Sequence, residues 1–348
     1  MRILFLYTEL ADYTLACLKA LKNTKDETEI SVVHYPINPE APFDFDFGET
    51  GTFTNIREFK SYNNLKEYVD AFHPEKIVLS GWSNKWYLRI CMAYKKRAIC
   101  ILTMDNHWMG TLKQAFFILV FRIVLISVFK KIWVPGEPQK VYAKKLGFKE
   151  QHIISGFYCC DVDFYSDLGN RFLALKEESF PKRLLCVARY IPAKNYETLW
   201  QAFIQWKAET NNDWELWCAG TGEDFSKRIQ HPAVRHLGFV QKKDWDDIIA
   251  KTGVFILPSS FEPWSVAVHE FAAAGYPLVL SSKVGASSTF LEKGNGWLFD
   301  PFDKRRLISI FREIESLPLE SIYVMGAKSI EMAWRITPLS WASALQEV

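Results

Sequence analysis

The sequence predicts an α/β protein with two similar domains in tandem, each a parallel β-sheet covered by helices on both faces. Short apolar runs typical of buried strands alternate with helical patterns through both halves of the chain. The alternation is interrupted once, around 164–180, where Asp167, Gly169-Asn170 and Pro181 surround a short polar helix. A length of 348 residues is also sufficient for two hydrophobic cores.

The first half supplies five apolar runs that we expect to be buried strands, at 2–7, 30–34, 76–80, 99–103 and 132–134. Helical patterns are predicted between them at 13–22, 65–72, 86–95 and 112–129. The proline-rich stretch 35–47 is typical of an irregular loop.

The second half repeats this arrangement. Strands are predicted at 183–188, 215–219, 234–237, 254–257 and 278–281, and helices at 196–208, 244–251, 266–274 and 305–314. We therefore expect a first domain over 1–165, a second over 166–332 and a terminal segment over 333–348. Because ligands of open parallel sheets bind beyond the carboxyl ends of the strands, we expect the two sheets to face a central cleft that holds the ligand.

Composition excludes several classes of function. A net charge of +2 argues against a nucleic-acid-binding protein, which usually carries a concentrated basic face. The seven cysteines are scattered, form no C-x-x-C pair and are typical of buried thiols in a reducing compartment, so no metal site is predicted. The first apolar run is too short for a signal peptide, which makes the cytoplasm the expected location.

One segment, 112–131, raises the question of a membrane. Its apolar run, 115–129, is flanked by Lys113 and by Lys130-Lys131, is interrupted by Arg122, and is too short to span a bilayer. We favour a helix packed between the sheet and its neighbours, because the charges leave no clean polar face. The alternative is a surface that contacts a lipid-linked acceptor or the inner face of a membrane, with the chain bound there peripherally.

The strongest candidate site follows the strand at 254–257. Glu262 precedes the helix that begins near Val266, and Glu270 lies eight residues further on, inside it. Two carboxylates at this spacing can accept hydrogen bonds from two sets of sugar hydroxyls. The N–H groups of Ser265 and Val266 open the helix and can bind a phosphate. The alternative is that both glutamates are merely solvated.

Two cations follow the first strand of the second domain. Arg189 comes directly after it, and Lys194 follows before the next helix. Arginine can bind phosphate oxygens in a bidentate manner and lysine acts as a point charge, so the pair suits a diphosphate. A solvated basic loop is the alternative.

Glycines follow the next strand. Gly220-Thr221-Gly222 could let the backbone approach a ligand closely, although an ordinary tight turn has the same pattern. Val240, in Gly238-Phe239-Val240 after the strand at 234–237, could present its backbone to a flat base.

Taken together, these motifs resemble the GT4 family of retaining glycosyltransferases. The resemblance rests on the E-x7-E pattern of Glu262 and Glu270, the turn with Arg189 and Lys194-Asn195, and the glycine motifs that follow in the family's order. These are Ala219-Gly220-Thr221-Gly222, Leu237-Gly238-Phe239-Val240 and Gly294-Asn295-Gly296-Trp297-Leu298. The resemblance covers about 130–320 closely and the remainder more loosely.

The resemblance implies a GT-B fold of two Rossmann-like domains, a nucleotide-diphosphate sugar donor, UDP- or GDP-linked, and retention without a bound metal or other cofactor. Glu262 would contact hydroxyls of the transferred sugar, Glu270 the ribose, and Arg189 and Lys194 the diphosphate. Trp264, Ser265, Val266, Gly220, Thr221, Gly222 and Val240 complete the candidate donor contacts. The last helix would cross back onto the first domain, which is the acceptor side.

The chain departs from the family pattern at three places. Thr8-Glu9-Leu10-Ala11-Asp12 replaces a Gly-Gly loop after the first strand, and Ser265 stands where glycine is common. The family's histidine two residues after a threonine corresponds here to Asp105, with His107 two further on. We keep both Asp105 and His107 as candidates to face the sugar, against the alternative of a capped loop with a surface histidine.

The sequence therefore predicts a metal-independent hexosyltransferase that acts on a saccharide or lipid-linked saccharide, in cell-surface polysaccharide or lipopolysaccharide synthesis. The main alternative is a catalytically degenerate GT-B domain that binds a nucleotide or a protein partner. An epimerase or a phosphorylase on the same scaffold is not favoured, because the sequence shows none of the catalytic residues that either would need. A dinucleotide-dependent oxidoreductase is not favoured either, because the chain has no G-x-G-x-x-G motif after the first strand.

Overall fold

The computed structural model describes residues 1–24 and 27–348. The chain forms two compact units. The first unit comprises Met1–Asn38, Phe43–Cys159 and Ile336–Val348, and the second comprises Pro39–Pro42 and Cys160–Arg335. The units thus divide at Cys159 and again after Arg335, a few residues from the expected boundaries at 165 and 332.

The first unit contains a seven-stranded parallel sheet with the order β3-β2-β1-β4-β5-β6-β7. The strands are β1 Arg2–Tyr7, β2 Glu29–His34, β3 Thr52–Asn55, β4 Lys76–Ser80, β5 Ile99–Thr103, β6 Lys131–Trp133 and β7 Ile153–Ile154. The sequence missed the two edge strands, because β3 has no buried residue and β7 is only two residues long. Edge strands need no continuous apolar run.

Six α-helices of the described residues belong to the first unit. They are α1 Asp12–Thr24, α2 Tyr62–Phe72, α3 Lys85–Tyr94, α4 Leu112–Val120, α5 Glu137–Leu146 and α13 Pro338–Gln346. A π-helical turn over Phe121–Leu125 continues α4, so the helical segment ends at Leu125 and is shorter than the helix predicted over 112–129. None of the α4 residues is fully buried, but Phe117 and Ile118 pack partly buried against the core of the first unit, so α4 is packed on one side and exposed on the other.

The C-terminal helix α13 packs onto the first unit. Trp341 lies against Trp133 of β6, with ring centroids 4.7 Å apart, and its Nε1 donates to the carbonyl oxygen of Phe157 at 2.8 Å. The buried Lys76 donates to the last carbonyl groups of the helix, 2.7 Å from that of Leu345. A lysine at this position also complements the helix dipole.

The second unit contains a six-stranded parallel sheet with the order β10-β9-β8-β11-β12-β13. The strands are β8 Arg183–Val187, β9 Glu215–Ala219, β10 Val234–Gly238, β11 Val254–Leu257, β12 Leu278–Ser281 and β13 Gly296–Phe299. The helices are α6 Val162–Glu178, α7 Tyr196–Thr210, α8 Trp245–Lys251, α9 Val266–Ala273, α10 Ser287–Phe290, α11 Lys304–Ser316 and α12 Leu319–Ala333. The predicted α/β class with parallel sheets is confirmed in both units.

The short polar helix predicted around 164–180 is present as α6 and is longer than expected. Asp161 caps α6 by accepting a hydrogen bond from the N–H of Phe164, and the helix runs for 17 residues. Gly169 lies inside the helix and not at a turn, and a Cβ atom there would overlap the backbone of Ala274. The glycine that suggested a boundary is therefore required by close packing.

Candidate active site

Two of the predicted site residues meet in a buried ion pair. Lys194 ends a short 3₁₀ turn between β8 and α7, and Glu262 lies between β11 and α9, so both follow the carboxyl ends of strands. The Lys194 Nζ donates to the Glu262 Oε2, and each residue is only 9% exposed. A charge pair held this far from water is well placed to act on a ligand, because screening by solvent is weak there.

Backbone hydrogen bonds fix the position of Glu262. Its N–H donates to the carbonyl oxygen of Lys283 at 3.1 Å, and its own carbonyl accepts from the N–H of Gly285 at 3.0 Å. The carbonyl of Ala193 accepts from the N–H of Ser260 at 2.9 Å, which ties the Glu262 loop to the Lys194 turn.

Asn195 holds the Lys194 turn against two other loops. It has a left-handed backbone at φ 56°, and its Nδ2 donates to the carbonyl oxygens of Pro258 at 3.1 Å and Pro301 at 2.9 Å. Asparagine tolerates this conformation better than most residues do. The lysine is thus positioned by a rigid neighbour.

Arg189 has a partner that the sequence did not suggest. Its Nη1 lies 3.5 Å from the Oε2 of Glu40, and both side chains are partly exposed. The segment Pro39–Pro42 is held there by two further contacts, since the Oγ1 of Thr221 donates to the carbonyl of Glu40 at 2.7 Å and Gln241 donates to that of Pro42 at 2.8 Å. This short segment therefore contacts the loops that follow β8, β9 and β10.

The loop after β9 needs its glycines for close approach to β8. Gly220 and Gly222 have φ values of 133° and 150°, and a Cβ atom on Gly220 would overlap the carbonyl oxygen of Ala188. Between them, the carbonyl of Thr221 accepts from the N–H of Tyr190 at 2.8 Å. The glycine loop thus contacts the residues on either side of Arg189.

The start of α9 adjoins Glu262. Ser265 has φ 83° at the N-cap position, in a region that favours glycine, and Val266 begins the helix. Trp264 is buried, and its Nε1 has no hydrogen-bond partner among the described residues. Glu270 is partly buried within the helix.

His269 beside Glu270 anchors this helix. It is fully buried, its Nδ1 accepts from the N–H of Cys160 at 3.2 Å, and its Nε2 donates to the carbonyl oxygen of Ala333 at 2.9 Å. Both ring nitrogens are therefore engaged, and His269 positions α9. The sequence motif contained this histidine but gave no indication of its role.

Val240 lies in a different environment. It lines an open depression of about 450 Å³ together with Trp217, Arg235 and Phe239. The residues that line this depression do not include the buried pair or Arg189.

The first unit has a cavity of about 270 Å³ at the carboxyl ends of β1, β4 and β5. Its wall combines carboxylate, hydroxyl and aromatic groups, including Thr8, Glu9, Tyr13, Trp82, Asp105 and Tyr158. The hydroxyl of Tyr158 donates to Asp105 Oδ2 at 3.2 Å. Of the two candidates in this loop, Asp105 lines the cavity and His107 is not among the described lining residues.

Burial raises the pKa of the Asp105 carboxyl above its ordinary value; the Tyr158 hydrogen bond opposes this effect, and Glu9 adds to it. A raised pKa means that the folded state holds this proton more tightly than the unfolded chain does. The resulting contribution to stability is fully present below the unfolded pKa and is lost as the pH rises through the folded pKa. We therefore expect Asp105→Asn to be more stable than the wild type at pH 7.5, with a difference that shrinks towards about pH 4. Urea unfolding at both pH values measures this, and an equal difference at both would contradict it.

Neither unit offers a metal site in its described residues. No group of three or more His, Cys, Asp or Glu side chains that could hold an ion occurs among them. All seven cysteines are buried free thiols.

The sequence missed Glu9, Glu40 and Tyr158. Glu9 was noted only as part of a replaced glycine loop, although a carboxylate directly after a buried strand is a usable signal. Glu40 lies in a proline-rich loop and Tyr158 is 53 residues from Asp105, so neither contact has a local signature.

The sequence matches a known family over part of its length. Residues 181–314, within the second unit, match the family model for glycosyl transferases group 1. No curated protein matches the chain.

Solved structures are similar over the whole chain at low sequence identity. Sucrose-phosphate synthase from Thermosynechococcus elongatus has a TM-score of 0.76 and 14% identity, covering 100% of this chain and 98% of that one. HepE of Anabaena, in complex with UDP and glucose, has a TM-score of 0.74 and 16% identity, covering 100% and 98%. A trehalose-6-phosphate synthase, studied for glycosyl transfer with retention, has a TM-score of 0.71 and 10% identity, covering 100% and 98%.

The structural similarity confirms the expected fold class, since each unit is a Rossmann-like domain with a parallel sheet. The chain thus has the GT-B fold, and its second unit matches the group 1 glycosyl transferases.

Proposed function

We propose that this chain is a retaining, metal-independent glycosyltransferase that takes its sugar from a nucleotide-diphosphate sugar. The observation that carries the proposal is the buried Lys194–Glu262 pair, which follows two strand ends in the unit that matches the group 1 glycosyl transferases. UDP is the first nucleotide to test, because HepE of Anabaena was solved with UDP, and GDP is the alternative.

The donor would bind to the second unit through groups of opposite charge. Arg189, partly exposed and paired only across 3.5 Å to Glu40, can turn its guanidinium onto diphosphate oxygens. Lys194 supplies a second positive charge, and the N–H groups of Ser265 and Val266 at the start of α9 supply further donors. Glu262 would then accept from hydroxyls of the transferred sugar, and Glu270 from those of the ribose.

The reaction needs no covalent intermediate. The bond between the anomeric carbon and the diphosphate oxygen breaks while the acceptor oxygen bonds to the same face of that carbon. The proton of the acceptor hydroxyl passes to the departing phosphate oxygen. Arg189 and Lys194 stabilise the negative charge that develops on the diphosphate, which is commonly the largest catalytic contribution.

The cavity of the first unit suits a saccharide. Its carboxylates, Glu9 and Asp105, can accept hydrogen bonds from sugar hydroxyls, while Trp82 and Tyr13 offer aromatic surface. We propose that it binds the acceptor, a saccharide or a lipid-linked saccharide, on the cytoplasmic side of cell-surface polysaccharide assembly.

Glu40 should compete with the donor for Arg189. A partly exposed ion pair is worth about 0–1 kcal/mol, so its removal is expected to tighten donor binding by up to about fivefold. We therefore expect Glu40→Gln to lower the Kd for UDP by that factor in isothermal titration. A weaker affinity in this variant would mean that Glu40 assists the donor instead.

Two assays test the proposed function and separate it from a degenerate domain that only binds nucleotides. The purified chain is incubated with UDP- and GDP-linked hexoses in the presence of EDTA, and release of the nucleotide is followed. We expect slow hydrolysis of one donor, with NMR detecting a first-formed sugar of the same anomeric configuration as the donor. Binding without turnover in any donor and acceptor mixture would favour the degenerate domain, and an inverted product would refute retention.

A further inference from the structure

An apolar stripe lies exposed on the first unit, along α4 and the π-helical turn that follows. Leu112 is 89% exposed, Phe116 70%, Leu119 58% and Ile123 73%. Their spacing of four, three and four residues places them on one face of the helical segment. Single exposed apolar side chains are ordinary, but a contiguous stripe of this kind marks an interaction surface.

The opposite side of the segment is firmly anchored. The Phe117 ring stacks on Trp82 with centroids 4.7 Å apart, and Phe121 is fully buried against Phe129 and Phe148. The stripe is therefore presented outward by a packed helix and is not the result of a loose segment.

The charges that the segment itself carries are of one sign. No aspartate or glutamate occurs between Asp105 and Glu137, whereas the exposed Lys113, Arg122 and Lys130 lie in this interval. Arg122 is held in place, because its Nε donates to the carbonyl oxygen of Lys145 at 3.0 Å. Lys95 adds another cation, since its Nζ lies 3.4 Å from Ser127 Oγ.

We propose that this apolar stripe inserts into the surface of a bilayer that contains anionic lipid, with Lys113, Arg122 and Lys130 against the headgroup phosphates. An apolar face with basic flanks is the pattern of an interfacial helix. A second copy of the chain is a poorer occupant, because it would bring a like-charged border against this one. No described helix has both the length and the apolar content needed to span a bilayer.

The stripe is connected to the cavity of the first unit. Trp82 lines that cavity and stacks on Phe117 of the same helical segment. If the cavity binds the acceptor, which is part of the proposed function, the membrane surface favours a lipid-linked saccharide over a soluble one. The docking surface itself does not depend on catalysis.

Vesicle flotation with the full chain tests the proposal. We expect the wild type to float with vesicles of 70% phosphatidylcholine and 30% phosphatidylglycerol, and much less with phosphatidylcholine alone or at high salt. Phe116→Ser with Ile123→Ser is expected to reduce the partition coefficient at least tenfold, because buried apolar groups dominate such binding. Leu175→Ser with Val324→Ser, which alters two exposed apolar side chains on helices of the second unit, is the matched control and should float normally.

Three outcomes would overturn the proposal: no flotation of the wild type, equal flotation of the stripe variant, or a wild-type dimer in solution that the stripe variant loses. Donor hydrolysis without vesicles, measured on the same proteins, should be unchanged by the stripe substitutions. If the wild type hydrolyses donor but does not bind vesicles, only the proposed membrane-binding surface is refuted. If it floats with vesicles but does not hydrolyse donor, only the proposed function is refuted.

Discussion

Lys194→Met is expected to lower kcat by about 10²–10³, the range for losing one preorganised charge that stabilises a transition state. Methionine retains most of the side-chain volume but carries no charge, so the departing diphosphate would lose the buried cation that we propose for it. KM for the donor should change less than kcat, because the charge matters most once the bond is breaking. Steady-state donor hydrolysis measures both constants.

The same substitution should also destabilise the fold, and this effect must be separated from catalysis. Glu262 would remain buried without its partner, which costs about 3–5 kcal/mol in comparable cases. Adding Glu262→Leu to the Lys194→Met variant removes the unpaired buried carboxylate. The double variant is expected to recover most of the free energy of unfolding without recovering activity. Near-normal kcat in a folded Lys194→Met variant would exclude the lysine from the reaction.

Arg189→Ala is expected to lower kcat by a similar factor, about 10²–10³, but to leave stability almost unchanged. Its ion pair with Glu40 is partly exposed, and such pairs contribute about 0–1 kcal/mol. When both are measured on the same preparation, the rate of donor hydrolysis should therefore fall sharply while the midpoint of urea unfolding hardly moves.

Arg312→Ala is the matched control for Arg189. Arg312 lies on α11 and forms a partly exposed ion pair with Glu209, so it resembles Arg189 in exposure and partner type. We expect full activity and a small stability change. Loss of activity in both variants would mean that general charge, and not the position of Arg189, matters.

The sequence alone predicted the buried strands and the two charged residues that follow strand ends. Every apolar run named as a strand is a strand, because parallel strands are buried on both faces and need continuous apolar residues. The rule that ligands bind beyond strand ends selected Lys194 and Glu262, which lie 68 residues apart in the chain yet form one ion pair.

The sequence alone did not predict features that depend on packing between residues distant in the chain. Gly169-Asn170 has the composition of a turn, but it lies within α6, where Gly169 permits close approach to the backbone of Ala274. The exposure of Leu112 and Phe116 could not be predicted either, because an apolar segment that packs inward and one that faces outward have the same composition. The Glu40–Arg189 pair depends on where a proline-rich loop lies, which no periodicity indicates.

The central claim is that Arg189, Lys194 and the start of α9 bind a nucleotide diphosphate. Isothermal titration of the wild type and of Arg189→Ala with UDP and with GDP, both in EDTA, tests it most directly. We predict one bound nucleotide per wild-type chain and at least tenfold weaker binding in the variant. Absence of binding to the folded wild type by both nucleotides, or an unchanged Kd in the variant, would contradict the account.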